Sequence, residues 1–311
     1  MNDLILFWIP IGIAFCFAGV AVMRLIAAYR SRLARISFEK KESRSYREAL
    51  RDYSNAKSKL ESRGTGVTIV DLIHDLSDQE KIRDNASHYI DYESTIEILN
   101  RIRNSKPSDE IEIVIHTLGG YTLPAEMIAA ALKAHKGTTT AYVPYIAMSG
   151  GTMIALATDK IVLGKNAALG PIDSQLWGFP LENYAKLRSE KSIDKIDDTT
   201  LLVAYEAEKY HAKANDRACA ILAQSHKDKA KRYSKNPCHA VDELMSAKLP
   251  HGQRIDYKHA DEIHLVVEDG IKKKEVYELF GARLRMIRAS VEEKKIRNGE
   301  NEGAESGTDK K

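Results

Sequence analysis

Ile111-Glu-Ile-Val-Ile-His-Thr-Leu-Gly-Gly120 decides the fold. Ile111 to Ile115 alternate as a strand does, and the run stops at Thr117-Leu-Gly-Gly, where paired glycines let the backbone turn sharply and present N–H groups. Pro124 to Lys133 (PAEMIAAALK) then reads as a helix. The same alternation continues outward. Val67-Thr-Ile-Val is a strand, Asp91 to Arg103 a helix, Thr139 to Val143 a strand, Gly150 to Ala157 an apolar helix and Lys160 to Leu163 a strand. A long helical run covers Thr199 to Ser225, and a last helix–strand pair begins at Ala260. Repeated β-α alternation predicts an α/β domain with helices packed on sheets.

The chain has 311 residues, of which 43% are hydrophobic and 29% charged, enough for a sizeable core and too apolar for wholesale disorder. Its 47 Lys and Arg nearly cancel its 44 Asp and Glu, a balance unlike that of a dedicated nucleic-acid binder. Three cysteines, Cys16, Cys219 and Cys238, contain no C-x-x-C and exclude a disulfide scaffold or a cysteine zinc site. There is no H-E-x-x-H or similar metal spacing, and no pyridoxal-phosphate or nicotinamide signature, so neither a metal nor a cofactor is expected.

Leu4 to Met23 holds no charge. At about 1.5 Å per residue it spans about 30 Å, the thickness of a bilayer core. A cleavable signal peptide has a positive leading region; here Met-Asn-Asp leads, and Arg24, Arg30, Arg32 and Arg35 follow. The expectation is therefore an uncleaved single-pass anchor with the bulk of the chain cytoplasmic, in the inner membrane if the cell is bacterial. Four regions result: an anchor at 1–29, a charged helical stalk at 30–64, the α/β domain at 65–282 and a charged, partly disordered tail at 283–311.

Three loops bear chemistry. His116-Thr-Leu-Gly-Gly120 and Ala147-Met-Ser-Gly-Gly-Thr152 each follow a strand and precede a helix, and Ala168-Leu-Gly-Pro-Ile-Asp-Ser174 follows the next strand. Ser149 alone is better explained as a helix N-cap. Taken together, the loops suggest a nucleophile facing backbone donors for an oxyanion.

These stretches resemble the serine dehydrogenase proteinase family, which stands with signal peptide peptidase A and the Clp protease catalytic subunit in the Clp/crotonase superfamily. The resemblance runs from about Val67 to Val267. The family's H-T-P-G-G appears as His116 to Gly120 with Leu118 in place of proline, its A-M-S-G-G-T as Ala147 to Thr152, and its L-G-P-x-D as Leu169 to Asp173. The resemblance implies a Clp/crotonase-like ββα superhelix core behind one transmembrane helix. It also implies a serine peptidase with Ser149 as nucleophile, Gly120 and Gly150 N–H groups as oxyanion hole, and Gly119 shaping that hole. Peptides or membrane proteins are the expected substrates, and a homo-oligomer the expected assembly.

The general base is open at this level. Clp-type proteases carry a histidine in the turn that here runs from Leu169 to Ser174, and no histidine lies there; Asp173 does. Signal peptide peptidases use a lysine further along the chain. A lysine base must be neutral near pH 7, whereas free lysine titrates at about 10.4, a gap worth about 4 kcal/mol that only an apolar or cation-flanked pocket supplies. Lys209, in an apolar-periodic helix, is the first choice and Lys195 the reserve. His251 is either a base or a structural contact. Asp173 either bonds backbone or orients a base, and His116 is expected to pack or hydrogen-bond beside the glycine loop. His211, His226, His239, His259 and His264 stand in no motif. Two other functions fit the same residues: a non-catalytic membrane scaffold on a degenerate protease fold, and a crotonase-type acyl-CoA enzyme.

Overall fold

The computed structural model describes residues 30, 44–77, 88–176, 179–209, 220, 239–245 and 248–305, with side chains as far as Lys294. Two compact units divide the chain, one from Tyr53 to Leu284 and one comprising Met1–Asp52 and Arg285–Lys311. The apolar run from Leu4 to Met23 lies outside the described residues. Among those described, no helix is long and apolar enough to cross a membrane.

A five-stranded parallel sheet forms the centre of the larger unit. Its strands are β1 (Val67–Ile73), β2 (Glu110–His116), β3 (Thr139–Val143), β5 (Lys160–Leu163) and β9 (Glu268–Asp269), in the order β1-β2-β3-β5-β9. Ile73 pairs with His116 at the end of the first ladder, so the two strands finish side by side. Helices α2 (Tyr92–Asn104), α3 (Thr122–Ala134) and α4 (Gly150–Leu156) connect successive strands. Asp91 starts α2 by accepting the Ser94 N–H at 2.8 Å, in a capping box with the Ser94 hydroxyl.

Period-two alternation sorts β2 between two cores. Ile111, Ile113 and Ile115 pack with Ile98, Ile128, Leu132 and Ile154 beneath α2, α3 and α4. Val114 points the other way, into a cluster with Ile69, Tyr142, Val162, Val276 and Leu279. Both faces are covered, as a parallel sheet requires. Ile113 is fully buried, and Ile113→Ala is expected to cost about 2–5 kcal/mol.

Helix α1 (44–61) and the start of α9 (Lys274–Glu305) supply the second cover. Leu60 is 1% exposed, and Tyr53 and Ala56 pack on the same cluster. The stretch expected as a solvated stalk up to residue 64 therefore docks on the sheet over its last turns. Charge and burial coexist there because Lys57 and Arg283 pair with Asp71 of β1. The sequence places a tail from 283; in the structure α9 runs on to Glu305. Of the helix expected over Thr199–Ser225, residues 198–209 are described as α6.

Beyond the ends of the main strands the chain builds a smaller ladder. Here β4 (Ile146–Ala147) runs parallel to Thr117 on one side and to β6 (Ala168–Leu169) on the other, and Leu169 pairs antiparallel with Ile255. Long strand, short strand and helix thus recur as β3, β4 and α4. The three loops singled out above all leave this second ladder.

Candidate active site

Ser149 joins β4 to α4 with φ 50 and ψ −118, a backbone that non-glycine residues rarely adopt and that costs about 1–3 kcal/mol. It occupies the N-cap position, yet its side chain makes no capping hydrogen bond. Its carbonyl accepts the Met153 N–H at 3.1 Å, which ties the residue to the helix by its main chain alone. The hydroxyl is half-buried and has no hydrogen-bond partner among the described residues. The N-cap reading is thus right for position and wrong for chemistry.

The glycine loop closes over this serine. A Cβ on Gly119, whose φ is +109, would stand 2.8 Å from Ser149 Cβ and 3.2 Å from Gly150 N. Gly120 is pressed against Ile90 so tightly that a Cβ would lie 2.3 Å from Ile90 N. Ile90 N–H donates to Gly119 O at 2.8 Å, and Tyr121 N–H donates to Ile90 O at 2.9 Å. In such a parallel bridge the bracketed residue, Gly120, turns its own N–H to the opposite side. Neither the Gly120 nor the Gly150 N–H has an acceptor among the described residues, and a Cβ on Gly150 would sit 3.8 Å from Gly120 N. Two neighbouring donors of this kind beside a hydroxyl are what a tetrahedral oxyanion requires. Leu118 replaces the family's proline, and here hydrogen bonds from Gly119 N–H to Thr117 Oγ1 and from Ile90 hold the turn instead.

Asp173 and His251 form a pair. The Asp173 side chain is 3% exposed, and its Oδ1 lies 2.8 Å from His251 Nδ1. Gln175 Nε2 donates to the other oxygen at 3.3 Å. A carboxylate only accepts, so Nδ1 carries the proton and Nε2 of the neutral ring is left as the basic nitrogen. The His251 side chain is 34% exposed. Two contacts tie the segments that carry this pair to one another and to Met148, the residue before Ser149. The Leu169–Ile255 bridge aligns the histidine segment with the aspartate turn, and Gly170 packs so closely on Met148 that a Cβ would be 3.4 Å from Met148 Cα. Thr152 Oγ1 fastens the same junction, with Ala147 O at 2.6 Å and Gly170 O at 2.9 Å. Asp173 thus meets two side chains, those of His251 and Gln175.

Neither lysine has the surroundings a neutral amine needs. Lys209 is 65% exposed and donates to Glu206 Oε1 at 2.6 Å. The apolar face of α6 is carried by Ala204 and Ala207, while Glu206 and Lys209 share the wet face. Lys195 ends an exposed 3-10 turn, Ile193–Lys195. The helical periodicity around Lys209 is real, and within this chain its side chain lies on the side of the helix away from Ala204 and Ala207.

His116 packs, as expected, with its ring 5.0 Å from Phe280 and 5.9 Å from Tyr145; burial pushes its pKa down to about 4. Sequence reasoning missed His74. It is 5% exposed, one residue beyond β1, with Nδ1 2.8 Å from Thr117 Oγ1. Its position at the carboxyl end of a parallel strand was the available signal.

A family model described as ClpP-like SDH-type serine proteinase matches residues 39–294. Two uncharacterized proteins of Methanocaldococcus jannaschii are similar in sequence. MJ0137 is 39% identical over 193 residues, covering 62% of this chain and 65% of that protein. MJ1495 is 34% identical over 193 residues, covering 62% and 63%. The chain thus spans less than two thirds of either relative. Among solved structures, a mutant of the 1510-N membrane-bound stomatin-specific protease is similar at TM-score 0.42 and 14% identity, over 68% of this chain and 83% of that one. ClpP1 from Listeria monocytogenes is similar at TM-score 0.40 and 14% identity, over 67% and 94%.

Proposed function

We propose, because this chain belongs to the ClpP-like SDH-type serine proteinases, that it is a serine peptidase with Ser149 as nucleophile and His251 as general base. The carrying observation is Ser149 itself: a non-glycine residue at φ 50 whose hydroxyl is unpartnered among the described residues, beside two N–H groups in the same condition.

In this mechanism His251 Nε2 takes the Ser149 Oγ proton as Oγ attacks the scissile carbonyl carbon. The carbonyl oxygen becomes an oxyanion held by the Gly120 and Gly150 N–H groups, each worth about 2.7–4 kcal/mol of transition-state stabilisation. The imidazolium then protonates the leaving amine, and the C–N bond breaks to give an acyl-serine. Water, deprotonated by the same nitrogen, releases the acid and restores Ser149. Asp173 stays ionised throughout, fixing the tautomer and stabilising the imidazolium. The chain order serine, aspartate, histidine is no obstacle, since such triads are defined by geometry.

Leu4 to Met23 anchors the enzyme, with the peptidase unit on the cytoplasmic side as the following arginines favour. Substrates are peptides or membrane proteins near that surface, and the assembly is a homo-oligomer. The full chain in detergent is expected to hydrolyse an unstructured fluorogenic protein, and Ser149→Ala to abolish hydrolysis. Undiminished turnover by Ser149→Ala defeats the proposal.

A further inference from the structure

We infer that Thr117, tethered by His74, is a positioning residue that keeps the Gly120 N–H pointed into the oxyanion hole. This rests on the peptidase reading above and deepens it.

Two consecutive glycines present a difficulty. Rotation of the peptide plane between Gly119 and Gly120 meets little steric resistance, and it would turn the Gly120 N–H towards Ile90 and away from Gly150. Something other than side-chain bulk has to hold that plane. On its carbonyl side Ile90 N–H donates to Gly119 O at 2.8 Å. One residue earlier, Gly119 N–H donates to Thr117 Oγ1 at 3.0 Å. Gly119 is thus fixed at both main-chain polar groups, and its own N–H is not available to an oxyanion.

The Thr117 hydroxyl is itself held. Thr117 is 0% exposed, and its Oγ1 lies 2.8 Å from His74 Nδ1 and 3.3 Å from Gly119 O. A hydroxyl has one proton. Because Gly119 O already accepts from Ile90, and because the histidine contact is shorter, the proton goes to Nδ1. His74 therefore carries its own proton on Nε2. Burial keeps the ring neutral, with a pKa lowered to about 4, so one ring nitrogen remains an acceptor. His74 is fastened through its main chain as well, its N–H donating to His116 O at 2.9 Å. The result is a relay from the ends of β1 and β2 through Thr117 to the glycine loop.

The test uses the full chain in detergent and reads kcat, KM and melting temperature for Thr117→Val, Thr117→Ser and His74→Phe. Valine keeps the shape of threonine and removes the hydroxyl. The inference predicts that Thr117→Val lowers kcat by about 10- to 100-fold, short of the full loss of one oxyanion donor, with KM within about twofold. Thr117→Ser restores kcat to within a few fold. His74→Phe, which leaves the hydroxyl free to rotate, falls between the two and gives the answer should Thr117→Val fail to fold. Unchanged kcat in folded Thr117→Val or His74→Phe overturns the inference. So does an equal loss in Thr117→Ser and Thr117→Val, which marks a purely structural site. Loss of activity in Ser149→Ala beside full activity in Thr117→Val refutes the inference alone; persistence of activity in Ser149→Ala refutes both.

Discussion

His251 Nδ1 and Asp173 Oδ1 lie 2.8 Å apart across 78 residues of sequence. The aspartate is buried and fixed, while the histidine is partly open to solvent. Asp173 lies in the turn that follows β6, and the histidine reaches back to it from a later segment. The Leu169–Ile255 bridge runs between the two segments that carry this pair.

Removing the carboxylate charge tests this pairing. Asp173→Asn keeps the shape of the side chain and destroys the preference for the Nε2-basic tautomer, so kcat should fall by about 10³- to 10⁴-fold with little change in melting temperature. Lys209→Met, which breaks an exposed ion pair with Glu206, should leave kcat within about twofold. Steady-state kinetics on both variants decides between the imidazole and the amine. The reverse pattern assigns the base to Lys209.

Gly119→Ala probes the loop from its other side. The new methyl group meets both a φ of +109 and Ser149 Cβ at 2.8 Å. Kcat should drop by about 10²- to 10³-fold, the scale of losing an oxyanion donor. A kinetic assay beside a far-ultraviolet spectrum separates this from global unfolding.

Acid should weaken the fold through His74. Burial lowers its pKa to about 4 from 6.5, so between those values the unfolded chain binds more protons than the folded one. Stability therefore rises with pH across that window: the contribution is complete above pH 6.5 and lost as pH falls to about 4. For His74 it amounts to about 3 kcal/mol, and His116 acts in the same direction. Urea midpoints at pH 7.5 and pH 5 read the difference, and His74→Phe should flatten part of the slope.

On the opposite face of the sheet Lys273 pairs with Glu112, whose side chain is 5% exposed, and sits 5.4 Å from the centre of the Tyr142 ring. Lys273→Met leaves that carboxylate buried without its cation, at an expected cost of about 3 kcal/mol. Adding Glu112→Gln should recover part of the loss. A double-mutant cycle measured by denaturant unfolding checks both values.

Much of this fold is legible in local pattern. The alternation of Ile111 to Ile115 and the glycine break at Gly119 announce a strand and turn because side-chain period and backbone freedom are local properties. The glycine loop, Ser149 and Asp173 are visible for the same reason. The pairing of Asp173 with His251 is not, because no periodicity links residues so far apart. The side on which Lys209 lies is not legible either, because apolar spacing marks a helix without stating which side each polar residue takes; Ala204 and Ala207 define the buried side only once burial is known. Leu60 and Tyr53 lie in a stretch whose charge dominates its average, although Lys57 and Asp71 neutralise one another in the packed state.

Reaction with a fluorophosphonate, followed by mapping of the modified peptide, tests the central claim most directly. A single adduct on Ser149 is predicted, lost in Ser149→Ala and formed far more slowly in His251→Asn. An adduct on another residue, or labelling that persists undiminished in Ser149→Ala, contradicts the account.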